Sequence, residues 1–235
     1  MKKKILYLVA MVLLVSGFSH RVQAQNKEIQ NTQLYKLYQM KYIFARKYND
    51  DIVAKDAMYS MIAMDPTDDS LKLQLSYYYF ESSQFASSLF SSGDIVVRDP
   101  ENQDALRINA MSYERMGVKD KAIESYESLY LKSSEIGVLY QVAVLQFDLQ
   151  RFTECKTNLD IIIKNPQAKA LKLNFAKSET EQQDVPMEAA AYNVKGMVEK
   201  QQGNKEEAIK NFNKALEIQP DFTLVLQNLK DLKEK

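Results

Sequence analysis

Histidine is almost missing from this sequence. The only one, His20, sits in the first 24 residues, so the remainder of the chain can build neither a histidine metal site nor a histidine general base. Cysteine is as scarce. One thiol, Cys155, cannot close an internal disulfide, so stability must come from packing, and a small buried packing residue is the expected role of Cys155. Tryptophan is absent, which leaves the 14 tyrosines as the larger share of aromatic surface, and tyrosine stacks less extensively on sugars. No basic run, Gly-rich phosphate loop or Ser-containing elbow occurs, which removes nucleic-acid, nucleotide and hydrolase readings. Acids such as Asp68, Asp69, Asp120, Glu206 and Glu207 fall where helices start, where the helix dipole favours them without catalysis. The chain is therefore expected not to be an enzyme and to need neither cofactor nor metal.

Long hydrophobic runs are also lacking. The longest, Ile5 to Val15, follows Lys2, Lys3 and Lys4 and precedes Val22-Gln23-Ala24. It is shorter than the roughly 17 residues that a membrane span requires. Positive start, short apolar stretch and small residues before Gln25 have the layout of a secretory signal, so residues 1–24 are expected to be removed and the protein to be periplasmic. No cysteine follows the run to serve as a lipid anchor. Those residues hold four bases and no acid, so their loss turns 31 bases against 31 acids into 27 against 31, a net charge of −4. A mildly acidic surface offers nucleic acid nothing to hold.

What is there is periodic. Five prolines punctuate the chain, and Pro66 to Pro100 and Pro186 to Pro220 are each 34 residues apart. Two stand in near-identical settings, AMDPTDDS and VRDPENQD. Proline stops helices, so a stop recurring at this interval marks a helix–turn–helix unit. The stretch GNKEEAIKNFNKALEIQPDF and the EAAAYNVKGMVEKQQ before it resemble the tetratricopeptide repeat. Tyr192, Gly196, Ala208, Phe212 and Pro220 fall at family positions, whereas Lys195 and Glu199 depart from them.

Stepping by the period gives repeats at 35–68, 69–102, 103–135 and a looser 136–167. Their first-helix small positions are Tyr42 (the exception), Ser76, Ala110, Ala143 and Gly196. The second-helix positions are Ala54, Ser88, Ala122, Cys155 and Ala208. Small residues are expected where paired helices cross closely. The reading divides the chain into residues 1–24, a signal; 25–34, a polar segment; 35–167, repeats one to four; 168–186, an insert; and 187–235, repeat five and a capping helix. In the insert Leu171, Leu173 and Phe175 alternate with polar residues, which fits either a β-hairpin or an unstructured loop.

The resemblance implies an all-α fold, a right-handed superhelix (an α-solenoid) of about five helix pairs with a C-terminal capping helix and one short non-helical insert. It also implies a concave groove lined by the first helices. Carried over by position, that groove comprises Ile43 and Arg46; Leu73, Tyr77 and Phe80; Arg107, Met111, Glu114 and Arg115; Tyr140, Val144 and Phe147; and Asn193, Met197 and Lys200. Gln39, Ile43, Leu73 and Tyr77 stand where chaperone-binding members hold a terminal carboxylate, so that clamp is absent. The expected partner is a protein or peptide, with glycan binding as the alternative; nothing in the sequence sets the oligomeric state. The signal, with glutamine directly after the cut, and the VPMEAAAYNVKGM junction resemble exported repeat proteins of Gram-negative Bacteroidetes-type bacteria.

Overall fold

A computed structural model describes residues 30–234. The signal reading and residues 25–29 lie outside that range. Helices α1 (30–47), α2 (Asp51–Met64), α3 (Asp69–Glu81), α4 (Phe85–Arg98), α5 (Gln103–Arg115), α6 (Lys119–Ser133), α7 (Ile136–Asp148) and α8 (Phe152–Lys164) follow one another in hairpin pairs. A 3-10 turn (Pro166–Lys169) leads into strands β1 (Lys172–Ala176) and β2 (Gln182–Pro186), then α9 (Met187–Gln201), α10 (Lys205–Ile218) and α11 (Thr223–Lys233). The fold is all-α apart from that hairpin. Two compact units part within α3, one ending at Leu75 and the other starting at Ser76. The first buries Ala45, Ala54, Ala57, Met58 and Met61 together with Leu71 and Leu75.

Each pair turns in the same way. Asn49, Ser83, Gly117, Gln150 and Gly203 all have positive φ, between 56° and 79°, and stand 34, 34, 33 and 53 residues apart. At each turn the next residue's N–H reaches five residues back: Asp50 to Ala45, Gln84 to Tyr79, Val118 to Tyr113, Arg151 to Gln146 and Asn204 to Glu199, all at 2.8–2.9 Å. This is the Schellman-type closure that satisfies the last carbonyls of a helix. Glycine fills it without strain at two turns; Asn49, Ser83 and Gln150 carry a Cβ there.

The Pro66–Pro100 interval has its own physical cause, whereas Pro186 ends β2 and stands directly before α9 and so does not stop a helix. Asp65, Asp99 and Asn165 precede Pro66, Pro100 and Pro166, and each side chain accepts from the N–H two residues on (3.0, 3.1 and 2.9 Å). Asp68 and Asn102 then cap the following helices by accepting from Leu71 N and Ala105 N at 3.1 and 3.0 Å.

Between the helices of a pair the small positions are closed to solvent. Ser76, Ala110 and Ala143 on the first helices, and Ala54, Ser88, Ala122, Cys155 and Ala208 on the second, are 0% exposed. Tyr42 is half-buried. Gly196 is the tightest: a Cβ there would lie 2.5 Å from the Phe212 ring, which is itself fully buried. Around α4 the crossing is polar. Ser76 Oγ donates to Ser91 Oγ (2.8 Å), Ser88 Oγ to the Ser76 carbonyl (2.8 Å) and Ser112 Oγ to Ser88 Oγ (3.1 Å).

The insert is an antiparallel hairpin that pairs Leu173 with Val185 and Phe175 with Gln183. Its inner face is held to the C-terminal helices. Val185 is fully buried with Phe212 and Phe222, and the Phe175 ring meets Phe222 edge-on at 5.0 Å. Gln183 accepts from Thr223 Oγ1 at 2.9 Å.

Urea unfolding of two variants tests this geometry. Ser83→Gly removes a strained left-handed residue and is expected to stabilise the protein by about 0.5–1 kcal/mol after the entropy cost of glycine. Gly196→Ala forces its methyl into Phe212 and is expected to destabilise by about 1–3 kcal/mol. Equal stability of parent and both variants would contradict the account of the turns and of the crossing.

Candidate functional site

The second unit holds a recess of about 450 Å³ between the first helices of successive pairs. Helix α3 contributes Phe80; α5 contributes Arg107, Met111, Glu114 and Arg115; α7 contributes Gly137, Val138 and Gln141. Spacings of three and four along α5 bring its four residues to one face. Glu135, just before α7, and Tyr126 of α6 complete the wall.

Three of the four recess charges are engaged internally. Arg107 Nη2 donates to both Glu135 carboxylate oxygens at 2.9 and 3.0 Å. Glu114 accepts from the Tyr126 hydroxyl on one oxygen and from Gln141 Nε2 on the other, each at 2.7 Å. Burial first, and the Glu114 bond second, push the Tyr126 phenol far above its usual range, so it remains a donor. Arg115 differs. It is exposed, makes no hydrogen bond or ion pair among the described residues, and its guanidinium sits 5.9 Å from the centre of the Phe80 ring. Tyr77 stands nearby on α3, half-buried; burial and Asp104 raise its phenol, while Arg107 acts in the opposite direction.

The recess thus unites Phe80, Arg107, Met111, Glu114 and Arg115 of the expected groove and adds Gln141, Glu135, Val138 and Gly137, which the sequence reading missed. The remaining expected positions go elsewhere. Tyr140 is 9% exposed inside the core that α7 forms with α8 and α9, and Val144 and Phe147 pack against the same core. Those three turn towards α9, whereas Val138 and Gln141 turn towards α5, and a Cβ on Gly137 would meet Met187 of α9, so Tyr140 is not a groove residue. Asn193 is also withdrawn from solvent, at 1% exposure, and accepts from Asn228 of α11 at 3.2 Å. Lys200 pairs with Asp231 of α11 at 3.7 Å, and half-buried Met197 packs between the clusters on either side of α9. The terminal helix therefore occupies part of the face expected to bind. In the first unit, Leu73 is half-buried, Ile43 is 60% exposed and Arg46 pairs with Asp51 at 3.3 Å.

Cys155 lies fully buried beside Tyr140, and burial pushes its thiol from 9.0 up to about 12. It is a packing residue. Among the described residues no cluster of three His, Cys, Asp or Glu could hold a metal ion, and no helix is long and apolar enough to cross a membrane.

Comparison with known proteins now bears on this geometry. Residues 189–222 match the tetratricopeptide repeat. That segment holds most of α9, all of α10 and the turn into α11, including Gly196, Ala208 and Phe212. No curated protein sequence matches the chain. Among solved structures, MamA is 18% identical over 79% of this chain and 92% of its own, with a TM-score of 0.62. A tetratricopeptide repeat protein from Parabacteroides merdae is 20% identical over 85% and 72%, with a TM-score of 0.64. YrrB, described as a TPR protein with an unusual peptide-binding site, is 13% identical over 80% and 88%, with a TM-score of 0.63. At these identities the likeness shows a shared fold: an all-α array of tetratricopeptide-type helix pairs.

Burial of Cys155 has a direct readout. At about pH 8 the folded protein is expected to leave a thiol reagent such as DTNB unreacted, with one equivalent released on unfolding in urea. Because the folded thiol titrates above the unfolded one, its contribution to stability is present below pH 9.0 and is lost as pH rises towards about 12. Rapid modification of the folded protein would contradict the packing role.

Proposed function

We propose that this chain is a tetratricopeptide-repeat scaffold throughout residues 35–235, without enzymatic activity, that holds a peptide or protein segment in the recess between α3, α5 and α7. One observation carries the reading: a solvent-open recess with an apolar floor, Phe80 and Met111, bordered by fixed polar groups. Concave surfaces with a few oriented polar groups and aromatic anchors suit an inserted side chain. The peptide-binding site named for YrrB, which shares the fold, supports the same use. The place of action is proposed from the signal-like layout of residues 1–24: the cell envelope, on the periplasmic side. For glycan binding, the recess offers only two rings, Phe80 and Tyr126, and the Tyr126 hydroxyl is already committed to Glu114.

The test begins with affinity capture from native envelope extract, followed by purification of the captured protein and titration against it. A Phe80→Ala, Met111→Ala double variant is expected to bind about tenfold or more weakly while its helical circular dichroism is unchanged, since anchors of this type cost more than 1 kcal/mol when truncated. Tyr140→Ala is expected to lower the unfolding midpoint instead. Undiminished binding by the double variant would exclude the recess.

A further inference from the structure

The charges of the recess say what kind of segment it would take. Glu135 is paired with Arg107, and each Glu114 oxygen already accepts one bond, from Tyr126 and from Gln141. An incoming cation would therefore have to share acceptors that already serve Arg107, Tyr126 and Gln141. An incoming carboxylate would not. Arg115 presents a guanidinium with no oxygen partner among the described residues, held against the Phe80 ring at the edge of the apolar floor. An arginine supported by an aromatic face keeps its planar fork available for bidentate recognition. The apolar contact and the free cation lie within one side chain of each other.

Resting on the peptide-binding reading above, we propose that the recess selects acidic–apolar segments: a Leu, Met or Phe side chain seated on Phe80 and Met111, with an Asp or Glu one turn or a few residues away bound by Arg115. Arg107 does not supply the specificity. Its pair with Glu135 ties the start of α7 to α5 and fixes the width of the recess. Charge complementarity of this kind acts mainly through orientation and exclusion, so basic segments are rejected more strongly than neutral ones.

Panning of phage-displayed random linear peptides against the full chain tests this, with the enriched sequences synthesised and titrated by fluorescence anisotropy. The parent is expected to enrich peptides that place an acid close to an aliphatic or aromatic residue. Their affinity should fall about tenfold or more with Arg115→Glu, in line with the loss of a charged hydrogen bond. The Arg115→Glu protein, altered at an exposed position and therefore expected to fold normally, should enrich lysine or arginine at the same place. Enrichment of apolar peptides without an acid, or unaltered binding by Arg115→Glu, overturns the acidic selectivity and leaves peptide binding in the recess standing. Failure of the parent to enrich any peptide, with circular dichroism showing it folded, overturns both.

Discussion

The structure depends on how closely the two helices of each pair can approach. That approach is possible only where side chains are small. Eight of the small positions are completely excluded from solvent, and at Gly196 even a methyl group would overlap Phe212. Apolar burial supplies most of the driving force in such a stack, since an isolated helix of 13–15 residues, the length of most of these, is marginal in water. Close crossing is what converts each amphipathic pair into a unit that neighbours can cover. Once the pairs are fixed, the recess of the second unit follows from the faces of α3, α5 and α7 that the crossing leaves unburied.

Much of this was legible in the residues. The Pro66–Pro100 interval has an identifiable source in the Asx turns at Asp65 and Asp99, which recur at Asn165, and the small positions announced themselves by residue size. The left-handed turns were harder to see. Gly117 and Gly203 suggest them, but Asn49, Ser83 and Gln150 adopt the same conformation without glycine, so only the shared closing hydrogen bond reveals the series. The spacings of 33 and 53 record a third repeat one residue short and an insert of about 20 residues before the fifth.

The recess takes up only part of the expected groove, for a reason of helix geometry. Position-by-position transfer treats each first helix alone, yet a recess between two helices takes only the residues on the flanks that face each other, and each residue along a helix turns to a different side. On α5 the expected and observed residues coincide. On α7 the flank towards α5 carries Val138 and Gln141, while Tyr140, Val144 and Phe147 serve the contact with α9. Asn193 and Lys200 were lost to α11, whose polar residues look like a solvated cap in sequence but reach back to α9. The hairpin's attachment through Phe175, Gln183 and Val185 to Phe222 and Thr223 likewise joins segments some 40 residues apart, beyond any local pattern.

The claim that matters most is that the recess, and no other surface, receives the partner. Amide hydrogen exchange with and without a bound partner peptide tests it most directly, because the second unit separates its surfaces along the chain. Added protection at residues 77–81, 103–115 and 135–141 is the expected result. Protection confined to the hairpin at 172–186, or to the second helices α4, α6 and α8, would contradict the account and move the binding site away from α3, α5 and α7.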